Sequence, residues 1–191
     1  MKKIILFILF FISPFYIIFA PDNARSEELK PGEYQVKAAF LYNFLKFIEW
    51  PEGPVKTADA VTLCILGEDP FGRDIDIIRG KAVRDRVLSV RNIGSVQEAG
   101  ECRILFISPS ERKNIAHILE KARGSGVVTI GDTEGFAQQG VIINFFLEND
   151  RVRFEINIEA AKKADLQISS KLLKLARIVE NTGPTITGTG R

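Results

Sequence analysis

The sequence predicts an α/β fold: a single domain with a mixed, partly parallel sheet, helices packed on that sheet, and an antiparallel hairpin at one side. Three observations lead to this prediction. A capped helix separates two short apolar runs, which is typical of a β-α-β unit with parallel strands. Two further runs flank the pair Asn149-Asp150, which favours a tight hairpin turn. An unusually apolar helix lies near the start of the domain.

The first predicted element is a helix over residues 33–50, which ends before Pro51. Apolar residues recur there at helical spacing, and further aromatic and leucine positions widen the apolar stripe beyond one face. Such a helix is either buried on most sides or shared with a partner. The next predicted elements are a buried strand over 60–67, a short helix over 73–79, a strand near the sheet edge over 81–93 and a buried strand over 102–108.

A capping box predicts where the next helix begins. Ser108 is the predicted N-cap, Pro109 takes the first helical position, and Glu111 follows three residues after the cap. Gly124 lies near the predicted C-terminal cap of this helix. Residues 126–131 then form a strand, which is expected to run parallel to the strand before the helix.

Residues 141–148 and 151–158 are the two strands of the predicted hairpin. In the second strand apolar and polar residues alternate, so one face should meet the core while Glu155 and Asn157 on the other face should meet water. Two helices complete the prediction, a short one near 159–164 and a longer one from 169 or 170 to about 179. The expected arrangement is a Rossmann-like layering of helices and sheet.

Residues 1–26 have the pattern of a cleaved secretory signal. Two lysines precede an apolar run, and the small residues Ala24 and Ser26 suit cleavage after Ser26. Cleavage after Ala20 is one alternative, and a retained membrane anchor is another, because the run is nearly long enough to span a bilayer. Residues 27–180 are expected to form the domain, and residues 181–191, which lack periodicity, a disordered tail.

The predicted mature chain is electrically neutral. The signal segment holds three of the 26 basic and one of the 24 acidic residues, which leaves 23 of each. A nucleic-acid-binding protein normally shows a basic excess or stripe, so this class is not predicted. The one histidine, His117, lies off the apolar face of its helix, and no metal site is predicted.

The two cysteines, Cys64 and Cys102, predict a disulfide, because the chain carries an export signal. Both lie in strand-like runs, and neighbouring strands are close enough for the bond to form. Oxidised cysteines cannot act as nucleophiles.

The segment "TIGDTEGFAQQG", residues 129–140, has the glycines and acidic residues that a catalytic or phosphate-binding loop could use. It matches no phosphate-binding motif. Asp132 and Glu134 could form an acid–base pair. The favoured interpretation is a turn, in which Asp132 and Thr133 bond local backbone and the glycines take conformations that other residues avoid. The serines at 108, 110, 169 and 170 are interpreted as helix caps. No catalytic residue, cofactor or enzymatic activity is predicted.

The order of several stretches resembles the YfiR family of exported bacterial proteins. These stretches are "YQVKAAFLYNFLKFIEWP", "CILGEDPFG", "GKAVRDR", "CRILFIS", "TIGDTEGFAQQG" and "ISSKLLKLA". The resemblance implies a periplasmic, dimeric protein that binds the sensor part of the membrane diguanylate cyclase YfiN and represses it. Cyclic-di-GMP and biofilm formation then fall, and a lipoprotein partner, YfiB, relieves the repression. It also implies redox-sensitive folding, which here would depend on Cys64 and Cys102 alone, because some relatives carry a second cysteine pair.

The wide apolar stripe of the first helix is the predicted partner-binding surface, with Tyr34 and Trp50 as its candidate residues. The competing interpretation is that this helix is simply core. An alternative function, in a different class, is a periplasmic small-ligand sensor that uses a cleft beside Gly67–Gly72 and Gly131–Gly135.

Overall fold

The computed structural model describes residues 32–50 and 60–180 of the 191-residue chain. The predicted signal segment and the predicted disordered tail therefore lie outside the described residues. Within the described ranges, none of the helices combines the length and the apolarity needed to cross a bilayer.

The described residues form two sheets and five α-helices. The strands are β1 (Ile48–Glu49), β2 (Ala60–Leu66), β3 (Ala82–Val83), β4 (Arg86–Ile93), β5 (Ile104–Ile107), β6 (Val128–Gly131), β7 (Ile143–Glu148), β8 (Arg151–Asn157), β9 (Gln167–Ile168) and β10 (Arg177–Val179). The helices are α1 (Glu33–Phe47), α2 (Ile115–Ala122), α3 (Phe136–Gln139), α4 (Ile158–Lys163) and α5 (Ser170–Leu173). Three 3₁₀ segments cover Gly72–Ile77, Val96–Glu101 and Pro109–Asn114.

The larger sheet has eight strands in the order β10-β8-β7-β6-β5-β2-β4-β3. Strands β4, β2, β5, β6 and β7 are parallel, β8 runs antiparallel to β7, and β10 is parallel to β8. A second sheet pairs β1 with β9 antiparallel. The predicted mixed α/β fold is confirmed, including the β5-α2-β6 unit and the hairpin. Asn149 and Asp150 both have positive φ angles, 51° and 57°, as a two-residue type I′ turn requires.

Side chains of the central strands alternate between two cores on opposite faces of the sheet. On one face Leu63 and Phe106 pack with α1, which buries Phe44 completely. On the other face Cys64 and Leu105 pack with α2. Because both faces are covered, the central strands are mostly apolar, as parallel strands between helices usually are, with Thr62 in β2 and Thr129 in β6 as the polar exceptions. This is the predicted layering.

Two predicted helix boundaries were wrong. The first helix ends at Phe47 rather than residue 50, because Ile48–Glu49 pair with β9 instead. The capping box does not form: the Ser108 side chain makes no capping hydrogen bond, and a 3₁₀ turn over Pro109–Asn114 precedes α2. That turn is closed by the Glu111 amide, which donates to the Ser108 carbonyl at 3.0 Å.

The predicted helix from 169 or 170 to about 179 was also wrong. It stops at Leu173 as α5, and Arg177–Val179 form β10 on the edge beside β8. The prediction that Glu155 and Asn157 face water was wrong too, since both are buried on the far face of β8. Asn157 caps α4, accepting from the Ala160 amide at 2.8 Å, and donates to the Ala137 carbonyl at 2.7 Å.

Candidate functional site

The structure contains the predicted disulfide between Cys64 and Cys102, whose Cα atoms are 5.8 Å apart. Cys64 lies in the middle of β2, and Cys102 follows a 3₁₀ segment just before β5. The bond closes the stretch of chain that contains β3 and β4. Both residues are buried, so a reductant reaches the bond only after the region opens.

The segment 129–140 forms the end of β6, a turn and the short helix α3. Gly131 is required by close approach rather than by a positive φ: a Cβ there would lie 2.6 Å from the Phe136 ring. Gly135 does adopt a positive φ of 83°, as expected for the turn. The prediction that Asp132 bonds local backbone was wrong, because its partners lie on α1.

Asp132 joins the end of β6 to the first turns of α1. Its Oδ2 accepts from the Lys37 Nζ at 2.8 Å and from the Tyr34 hydroxyl at 3.0 Å. Lys37 also pairs with Glu33 Oε1 at 2.5 Å. The side chains of Lys37 and Asp132 are only 4% and 2% exposed, so this is a buried ion pair. Burial raises the pKa of the Tyr34 hydroxyl, and the Asp132 carboxylate raises it further.

The structure places Tyr34 in the first turn of α1 and Trp50 three residues beyond the other end of that helix. The Tyr34 ring is partly buried and packs edge-on against Phe71, with ring centroids 5.2 Å apart. Trp50 is partly buried against the α1-side core, and the Arg103 guanidinium lies 5.8 Å from its ring. A helix of this length spans about 22 Å, so the two rings do not form one patch. Their role in binding a partner stays a prediction.

A hydrogen-bonded network that the sequence did not reveal lies beside this ion pair; its Glu155 and Asn144 side chains are buried, and its Arg177 side chain is exposed. Glu155 Oε2 accepts from Arg177 Nε at 3.1 Å and Nη2 at 2.5 Å, and Glu155 Oε1 accepts from Asn144 Nδ2 at 3.3 Å. The Asn144 amide also donates to the Thr133 carbonyl at 3.0 Å. The signal that could have found it is the Arg177-Ile178-Val179 run, whose two β-branched residues favour a strand.

These groups surround a cleft of about 610 Å³, here called the Asp132 cleft, between the start of α1 and strands β6, β7 and β8. It is lined by Glu33, Lys37, Asp132, Glu134, Gly135, Gln138, Asn144, Phe145, Phe146, Leu147, Glu155 and Arg177. The other half of the predicted ligand cleft is filled, because the Ser110 and Glu111 side chains pack directly against Gly67. Of the two predicted glycine loops, only the one at 131–135 borders the Asp132 cleft.

The residues that line the Asp132 cleft lie between Glu33 and Arg177 in the sequence. One protein family matches nearly the same stretch. The YfiR/HmsC-like family, DUF4154, matches residues 34–177. The chain belongs to this family. YfiR-like proteins form a regulatory, non-catalytic family, and membership suggests a periplasmic regulator of a diguanylate cyclase.

Two solved structures are similar to the chain at low sequence identity. A conserved domain protein from Vibrio cholerae is 8% identical, with a TM-score of 0.50 over 76% of this chain and 60% of that one. The ABC domain from Streptococcus pneumoniae, solved in complex with L-Trp, is 8% identical, with a TM-score of 0.46 over 62% and 55%. The chain thus matches only a little over half the length of these two proteins. The Vibrio likeness supports the α/β fold alone.

Proposed function

We infer that the protein is a periplasmic repressor that binds the periplasmic sensor domain of a YfiN-like membrane diguanylate cyclase. Repression lowers cyclic-di-GMP and biofilm formation. The family match over residues 34–177 carries this proposal, because it includes almost the whole described domain rather than one motif. A YfiB-like lipoprotein of the outer membrane is the proposed partner that relieves repression, and the repressor acts as a homodimer.

The physical basis is preferential binding. A protein represses a receptor if it binds the inactive conformation more tightly than the active one, and the shift cannot exceed that difference in affinity. Tyr34, in the first turn of α1, and Trp50, just after β1, are the proposed anchors. Both rings are partly buried in the free protein, so little side-chain entropy remains to be lost when a partner covers them. Aromatic anchors of this kind dominate many interfaces.

The test is a gene deletion followed by measurement of cellular cyclic-di-GMP. Deletion should raise cyclic-di-GMP, and the wild-type gene should restore the low level. If Trp50 and Tyr34 anchor the receptor, Trp50→Ala and Tyr34→Ala should leave the level raised, since losing an aromatic anchor costs about 2 kcal/mol or more of binding.

Tyr34→Phe distinguishes the proposed receptor contact of the ring from the internal hydrogen bond of the hydroxyl. It removes only the hydroxyl that donates to Asp132 and keeps the ring. It should repress like wild type. Immunoblots and thermal unfolding must show that each alanine variant is present and folded. Deletion without any rise in cyclic-di-GMP would reject the repressor, whereas folded alanine variants that repress normally would reject only these two anchors.

A further inference from the structure

Three side chains that line the Asp132 cleft carry a buried oxygen with no hydrogen-bond partner among residues 32–50 and 60–180. These are Asp132 Oδ1, Gln138 Oε1 and Asn144 Oδ1. All three are acceptors. A buried acceptor that lacks a donor is unfavourable, so the lining of the cleft leaves three acceptors unsatisfied. The neighbouring Thr133 hydroxyl does not donate to them, since it too has no partner among the described residues.

The cationic groups of the cleft bond other acceptors and none of these three oxygens. Lys37 is held by Glu33 and Asp132 Oδ2, and Arg177 is held by Glu155. The orientation of the Asn144 amide is fixed as well, because its nitrogen donates to both the Thr133 carbonyl and Glu155. The amide oxygen of Asn144 is therefore the atom without a partner among the described residues, and the residue is only 1% exposed.

The net charge of the cleft indicates whether a ligand that supplies the missing donors should be cationic or anionic. Four acidic residues (Glu33, Asp132, Glu134 and Glu155) line it against two basic ones (Lys37 and Arg177), which gives a formal charge of −2. Anionic ligands are therefore disfavoured. A primary ammonium group is compact, positively charged and carries three N–H donors and no acceptor, which matches three acceptors.

We propose that the Asp132 cleft binds a small organic cation through a primary ammonium group. The ammonium donates to Asp132 Oδ1, Gln138 Oε1 and Asn144 Oδ1. Phe145, Phe146 and Leu147 line the same cleft and offer an apolar surface to the methylene groups of such a ligand. The chemical class is therefore an aliphatic amine or diamine rather than a nucleotide or a carboxylate.

Entry requires a small movement, because the three oxygens are closed off from solvent. Gln138 is the residue that can move: it is partly exposed, and it lies on the four-residue helix α3, which follows the left-handed Gly135. Rotation of its side chain would leave the Lys37–Asp132 pair intact, because the bonds of that pair are made with Tyr34 and Glu33.

The test is calorimetric titration of the oxidised protein, purified from the cell envelope, with putrescine in 0.15 M salt. Two probes of similar length are the controls: 1,4-butanediol, which is neutral, and succinate, which is anionic. The expected result is saturable binding of putrescine and none of the two controls. Binding is measured on the isolated protein, so its outcome is independent of whether the proposed cyclase partner is correct.

Variants of Gln138 test whether putrescine binds in this cleft. Gln138→Met removes one acceptor that has no partner in the fold and should weaken putrescine binding about tenfold, the usual effect of one charge-assisted hydrogen bond. Gln138→Glu adds a carboxylate and should tighten it. Gln167→Met, an exposed glutamine on β9, is the matched control and should bind like wild type.

Several results would overturn the proposal. One is the absence of saturable putrescine binding to a folded wild-type protein, which would mean that water alone occupies the acceptors. Another is equal binding of 1,4-butanediol. A third is equal affinity of the wild type, Gln138→Met and Gln138→Glu, which would place the amine elsewhere on the protein.

Discussion

At the scale of single residues, the ion pair between Lys37 and Asp132 has the largest consequences for stability. Both side chains are almost fully buried, and the pair connects the first helix to the end of β6, 95 residues away. A buried pair is weak support for net stability, because desolvation of two charges offsets their attraction. Removal of one partner is different, since it leaves a buried charge without compensation.

Lys37→Met should therefore destabilise the protein by about 3–5 kcal/mol in urea-induced unfolding. Lys46→Met on the same helix is the control: Lys46 is exposed, its ammonium lies 3.9 Å from the Tyr42 ring, and its loss should cost less than about 1 kcal/mol. Adding Asp132→Asn to Lys37→Met should recover part of the loss, with a coupling of about 2 kcal/mol. Equal losses for Lys37→Met and Lys46→Met would contradict the assignment of a buried pair.

The backbone conformation of a residue was predictable from the sequence where it depends on the residue itself and its neighbours along the chain. The Asn149-Asp150 turn and the glycine at 135 follow from local backbone preferences, and both predictions are confirmed. The surroundings of Asp132 were not predictable, because its partners are brought to it by the packing of α1 on the sheet. For the same reason Glu155 looked like a solvated residue of an alternating strand, although it is buried.

At the scale of elements, β10 shows how tertiary contacts override local preference. The segment from 169 or 170 to about 179, which begins at two serines interpreted as helix caps, was predicted to be one helix. Instead, Arg177 reaches Glu155 with two hydrogen bonds, and Arg177–Val179 pair with β8. The exposed Ile178 then lies on the edge strand β10 rather than in a helix stripe.

Arg177→Met should lower the stability of the β10 edge by about 2 kcal/mol, because it leaves the Glu155 carboxylate buried without its charged donors. Hydrogen exchange should show faster exchange in β10 than in β5. Arg153→Met is the control, since its pairing with Glu148 at 3.6 Å is exposed and contributes little. Adding Glu155→Gln to Arg177→Met should restore much of the loss. Unchanged exchange in β10 would mean that strand pairing alone holds this edge.

At the scale of the whole molecule, the layered α/β fold was the most predictable feature. Mostly apolar strands, a helix between two of them and a wide apolar first helix together indicate a sheet that is covered on both faces. The order of the strands in the sheet could not be predicted from the sequence. The connection from β4 to β5 passes across β2, and no local sequence signal specifies that crossover. The single disulfide acts at this scale, since it closes the stretch of chain that contains β3 and β4.

Reduction should therefore weaken the whole domain rather than one loop. The two cysteines are 38 residues apart in sequence, and the entropy that the unfolded chain loses when a loop of that size is closed corresponds to about 4 kcal/mol of stabilisation. Reduction should lower the Tm by roughly 10 °C. Because both sulfurs are buried, reduction of the native protein should be slow and should accelerate in mild denaturant, in step with local opening.

The Cys64→Ser/Cys102→Ser variant separates the bond from other effects of the reductant. It should unfold at the same lower temperature with or without reductant, and it should fail to restore low cyclic-di-GMP in the deletion strain if folding of the repressor depends on the bond. Alkylation of free thiols verifies the redox state of the wild type. A wild-type protein with both thiols alkylated and an unchanged Tm would show that the disulfide does not control folding, and redox control of repression would have to be abandoned with it.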